Sequence, residues 1–116
     1  MNIESIREYC LSKPEVTESL PFGEDTLVFK VLGKMFVLMN LDGELSVNLK
    51  CDPEKALELR EEYSAVLPGY HMNKRYWNTV MVNGSITDRL LETWIDHSYE
   101  QVIKSLPKNK QKTLGY

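Results

Sequence analysis

The stretch TLVFKVLGKMFVLMNLDGELSVNLK, residues 26–50, decides the fold. Leu27, Phe29 and Val31 fall on one face of an extended segment, because strand side chains alternate sides. Gly33-Lys34 then reads as a two-residue turn with glycine first, suited to type II′. Met35 to Met39 is apolar throughout, which predicts a central strand covered on both faces. Asp42-Gly43 is a second hairpin signal. Beyond it Leu45, Val47 and Leu49 alternate with Ser46, Asn48 and Lys50, one apolar face against one polar face. The three segments together predict an antiparallel meander.

Helices flank this meander. Upstream, Ile3, Ile6 and Cys10 recur at helical spacing, and Pro14 ends that helix because it cannot donate the next backbone bond. Glu15 to Glu24 reads as a polar connector containing Pro21-Phe22-Gly23. Downstream, Asp52-Pro53-Glu54 opens a second helix. Asp52 can cap, Pro53 fits the first turn, and Glu54 suits the positive end of the dipole. Pro68-Gly69 is a turn, Trp77 to Val82 a fourth strand, and Asn83-Gly84 its end. Ser85 followed by Asp88 resembles a capping box. The last helix is expected from Ile86 to Leu106, with Leu91, Trp94, Ile95, Ser98 and Val102 on one face. Lys108 to Tyr116 reads as a polar, frayed tail. The expected order is α-β-β-β-α-β-α, an α+β fold in a single domain over residues 1–116.

The length of 116 residues suits one domain able to bury a core without staples. With 42% hydrophobic and 27% charged residues the composition is that of a globular chain. The longest apolar run, Met35 to Met39, is far shorter than the roughly 20 residues of a membrane span, and no signal-peptide core follows Met1. A cytoplasmic monomer is the expectation, with Cys10 and Cys51 reduced and unlinked.

No catalytic motif is present: no G-x-S-x-G, H-E-x-x-H, C-x-x-C or glycine-rich phosphate loop. Cys10 and Cys51 read as small core residues rather than nucleophiles. His97 reads as a solvated or capping histidine, and His71 lacks a second ligand or a carboxylate partner. Glu58, Glu61 and Glu62 form a solvated helix face. Neither an enzyme, a cofactor nor a metal site is expected.

One segment carries candidate chemistry: Tyr70-His71-Met72-Asn73-Lys74-Arg75-Tyr76-Trp77-Asn78-Thr79. Its cations can neutralise phosphates and its aromatic rings can stack on bases. The reading favoured over this one is a loop whose largely buried Trp77 plugs the core while Asn73 and Asn78 satisfy turn backbone, because aromatic residues more often anchor packing than binding. The net charge of −3 argues against a broad basic stripe of the kind that marks a duplex-binding domain.

Pro21-Phe22-Gly23, Phe29-Lys30-Val31, Gly33-Lys34-Met35-Phe36, Ser46 to Pro53 and above all Pro68 to Val80 resemble the MmcQ/YjbR family of small bacterial proteins. The resemblance implies a single α+β domain, a curved antiparallel sheet packed with helices in a double-wing arrangement, and DNA as a partner. It brings no catalytic residues. His71, Asn73, Lys74, Trp77 and Thr79 match its motif. The expectation is a non-enzymatic domain that binds DNA weakly. Lys50, Lys74 and Arg75 would meet phosphates, and Trp77 would stack. The alternative is a protein-interaction or small-ligand module that uses the same loop without nucleic acid.

Overall fold

A computed structural model covers all 116 residues. The elements are α1 (Ile3–Leu11), β1 (Val16–Ser19), β2 (Thr26–Val31), β3 (Lys34–Asn40), β4 (Ser46–Lys50), α2 (Pro53–Glu62), β5 (Val66–Pro68), β6 (Trp77–Met81), α3 (Asp88–Lys104) and α4 (Lys108–Thr113). The strands form a six-stranded antiparallel sheet in the order β1-β2-β3-β4-β6-β5. The α+β class and the central meander are as the sequence predicts.

The differences lie at the margins. Two short edge strands are additional: β1 lies in the segment expected to be a connector, and β5 runs through Val66 and Leu67, given no element by the sequence, to Pro68, expected to begin a turn. The C-terminal tail contains the helix α4. The β2–β3 turn is Leu32-Gly33, not Gly33-Lys34, since Val31 pairs with Lys34. Both turn residues have positive φ, +48° and +86°, which fits type I′ and not type II′. The last helix starts two residues later than expected, because Thr87 and not Ser85 caps it by accepting the Leu90 N–H.

The core lies between one sheet face and the helices. Phe29, Val31, Val37, Met39, Val47, Leu49 and Val80 meet Ile6 and Cys10 of α1 and Leu91, Trp94, Ile95, Val102 and Ile103 of α3. A bulge lets the strand reach this core twice in succession. Phe29 pairs with Val37 and Lys30 with Met35, so Phe36 is the extra residue. Phe36 and Val37 are both fully buried, and the Phe36 ring packs edge-on against Tyr99. The Ser98 hydroxyl donates to the Phe36 carbonyl at 2.5 Å and accepts the Lys50 N–H at 2.8 Å. One small polar residue of α3 thus satisfies two sheet groups that the ladder leaves free.

The apolar run Met35 to Met39 of β3 is not covered by helices on both sides. Its second face, with Met35 and Leu38, belongs to the open side of the sheet.

Candidate functional site

Strand alternation places Thr26 and Lys30 of β2, Met35, Leu38 and Asn40 of β3, Ser46, Asn48 and Lys50 of β4, and Trp77, Thr79 and Met81 of β6 on that open side. Most of these residues line a groove of about 1090 Å³. Leu38, Asn48 and Thr79 lie along its floor strands. The β1–β2 loop contributes Phe22 to one wall. The segment from Leu67 to Lys74 contributes Tyr70, His71 and Met72 to the other. A second hollow of about 510 Å³ is lined by Phe22, Lys30, Lys34, Met35, Lys50 and Trp77 among others. Phe22 and Met35 border both hollows.

The loop between β5 and β6 is fixed from three sides. From the sheet, the Thr79 hydroxyl donates to Asn48 Oδ1 at 2.5 Å and accepts the Tyr70 N–H at 2.8 Å. From α2, the Arg60 guanidinium donates to Asn78 Oδ1 at 2.7 Å and to the carbonyls of Lys74 and Trp77. Within the loop, Asn73 Oδ1 accepts the Arg75 N–H at 2.9 Å, an Asx turn. The Gly69 N–H meets the Trp77 carbonyl at 2.9 Å, and a Cβ at position 69 would lie 2.7 Å from the Trp77 Cβ. Only glycine permits that approach. His71 sits at φ +60°, with its ring centroid 4.3 Å from that of Tyr70.

The expected site residues are partly brought together. Lys50 and Trp77 are direct partners across β4 and β6. Lys74 and His71 reach the large groove, whose floor includes Thr79. Arg75 lines neither hollow and packs over the Tyr76 ring at 5.5 Å. Asn73 is a turn former. Trp77 does not plug the core: it is half-buried and faces the open side, while Trp94 fills the core. Asn78 does not serve turn backbone either. It lies on the helix face, receives Arg60 and donates to the Ala56 carbonyl at 3.3 Å.

Arg60, Asn48, Phe22, Lys30 and Lys34 are site residues that the sequence reading did not single out. For Lys30 and Asn48 the signal was present, since each alternates with core residues along its strand. Arg60 gave none, because its partners lie 14 to 18 residues away.

The His97 Nε2 accepts the Asp52 N–H at 3.1 Å at the start of α2. Burial, with Lys55 adding to it, holds the imidazole below its ordinary range. Cys10 and Cys51 are buried free thiols, and burial pushes them up to about 12 and about 11. No helix is long and apolar enough to cross a membrane.

Comparison with known proteins places this geometry among relatives. The family model YjbR matches residues 11–101. The protein YbdF of Escherichia coli O157:H7 is 39% identical over 110 residues, covering 94% of this chain and 90% of its own. The protein YjbR of Escherichia coli K12 is 34% identical over 115 residues, covering 98% of each chain. Both carry the description uncharacterised. A crystal structure from Deinococcus radiodurans, described by the domain name DUF419, superposes with a TM-score of 0.91 at 37% identity, covering 98% of this chain and 88% of that one. A Pseudomonas syringae crystal structure superposes at 0.77 with 26% identity, covering 87% and 98%.

Proposed function

The chain belongs to the YjbR family, and from that premise we propose that it is a non-catalytic binding domain whose open sheet face receives a small organic molecule. The observation that carries this reading is the groove of about 1090 Å³ between the Phe22 loop and the Tyr70–Met72 loop. Its size is just above the range of ordinary ligand sites, roughly 300–1,000 Å³. Its lining combines adaptable apolar groups, Met35, Leu38, Met72 and Met81, with a few convergent polar ones, Asn40, Asn48 and Thr79. Thioethers fit irregular ligands, and amides fix orientation. These groups hold a molecule rather than transform it. The test is a fluorescence titration with 1-anilinonaphthalene-8-sulfonate. Wild type should give a saturable rise in emission. Met81→Arg, which fills the groove from β6, should abolish it while keeping the melting temperature within a few degrees. An unaltered titration in that variant contradicts the reading.

Weak binding of DNA is the second reading, favoured by Lys74 and Arg75, which both stand exposed on the loop before β6. With Lys50 they offer about three phosphate contacts, for which log affinity should fall against log salt with a slope near −3. Lys74→Ala with Arg75→Ala should make that slope shallower by about 2. Absence of duplex binding at low salt excludes this reading and leaves the first untouched.

A further inference from the structure

We infer that the occupant of the open face is a small amphipathic organic anion: its carboxylate or phosphate is held by Lys30, Lys34 and Lys50, and its apolar body runs along Met35 and Leu38. The inference rests on the groove reading above and names the chemistry of the ligand.

Three consecutive strands each contribute one lysine to the lining of the same hollow, Lys30 and Lys50 from the open face and Lys34 from the end of the sheet, where its partner is core-side Val31 and Val102 of α3 closes the lining. Lys30 stands opposite Met35, Lys34 opens β3 beyond the Leu32-Gly33 turn, and Lys50 closes β4 opposite Trp77. No acidic residue lines this hollow. The chain's ion pairs are made elsewhere, by the N-terminus with Asp88, Arg7 with Glu18 and Lys13 with Asp96. None of the three lysines takes part in an ion pair, so they line the hollow without a counter-charge. Burial, and then the neighbouring Lys34, holds the Lys50 ammonium below its ordinary range. A bound anion relieves both costs, because it pairs the charge that burial and repulsion disfavour.

The rest of the ligand follows from what borders the lysines. Trp77 flanks them from β6, and Phe22, 65% exposed on its loop, stands between the cationic hollow and the large groove. The sole acid lining the large groove is Glu44, in the β3–β4 loop at the opposite end of β3 from Lys34. Along β3 the site runs from the three lysines at one end through apolar groups to Asn40 and Glu44 at the other, with His71 and Lys74 on the loop wall beside it. β3 has seven residues, so by strand rise this axis is about 20 Å long. A molecule with one charged head and an apolar body of several carbons matches that order. A neutral apolar molecule leaves the lysines unpaired.

The experiment is calorimetric titration of the full chain with octanoate, octyl phosphate and 1-octanol. At least one anion should bind roughly 10-fold or more tightly than the alcohol, the ratio given by a charge-assisted hydrogen bond. Which anion binds more tightly distinguishes a carboxylate from a phosphate ligand. Lys34→Gln with Lys50→Gln should erase that preference by weakening the anions to about the affinity of 1-octanol. Lys34→Gln alone, at an exposed position, should reduce the preference and serves if the double variant does not fold. Equal affinity for all three compounds overturns the anion inference and leaves the groove reading standing. A preference retained in the variants overturns the lysine assignment. Failure of all three compounds to bind overturns the inference together with the groove reading.

Discussion

The Thr79 hydroxyl on β6 donates to the Asn48 side-chain carbonyl on β4 at 2.5 Å, a cross-strand pair on the floor of the groove. The same hydroxyl accepts the Tyr70 N–H, so one residue ties the sheet to the loop that walls the site. Thr79→Val keeps the shape and removes both bonds. It should cost about 1–3 kcal/mol, since Asn48 and the Tyr70 amide lose a partner at a part-buried site. Hydrogen exchange at Tyr70 should accelerate beyond the change at α3 amides. Equal acceleration at both places would show global destabilisation and no local tether.

Gly69 and Trp77 make a second test of the loop. A methyl group at position 69 would lie 2.7 Å from both the Cβ and the carbonyl oxygen of Trp77, neither of which is a flexible terminus. Gly69→Ala should therefore destabilise by roughly 1–3 kcal/mol. Trp77→Ala, by contrast, should cost less than the roughly 3–5 kcal/mol of a core aromatic, a value expected for Trp94→Ala. Thermal melts of the three variants check the order; Trp77→Ala as damaging as Trp94→Ala would contradict the half-buried placement.

Ser98 supports the bulge that shapes β3. Ser98→Ala leaves the Phe36 carbonyl and the Lys50 N–H without their partner. Each orphaned group costs about 1–3 kcal/mol. A urea midpoint within error of wild type would show that water replaces the hydroxyl at no cost.

These tests bear on what the sequence can and cannot disclose. The meander was legible because β2, β3 and β4 each carry a strong apolar alternation or run bounded by turn residues. β1, Val16-Thr17-Glu18-Ser19, has one apolar residue and pairs on one side only. It is held by its ladder with β2 and by Arg7 Nη2 against Glu18 at 2.6 Å, contacts that no local pattern encodes. α4 has lysines where an apolar stripe would be, yet Leu114 packs on the core and the Tyr116 hydroxyl donates to Glu100 at 2.8 Å. The site was half legible. Alternation puts Lys30, Asn48 and Lys50 on one face, but Lys34 joins them only through the Leu32-Gly33 turn. Trp77 was misplaced because its strand alternates polar and apolar on both faces: buried Asn78 looks like surface, and half-buried Trp77 looks like core.

Stability should depend on pH through His97. Its folded pKa lies below the ordinary 6.5, so in the window beneath 6.5 the unfolded chain binds the proton first. Stability is then full above this window and declines as pH falls through it. Protonation also destroys the acceptor that holds the Asp52 N–H. His97→Gln should flatten that part of the profile in chemical denaturation between pH 5 and about 7.5. An unchanged slope would place the pH dependence elsewhere.

The most direct test of the open-face site is a heteronuclear NMR titration of the labelled chain with 1-anilinonaphthalene-8-sulfonate. Amide shifts should cluster at Met35, Leu38, Asn48, Tyr70, Thr79 and Met81, and the amides of α3 should move little. Shifts confined to α3 or to the lysines of α4, with the open face silent, would contradict the account.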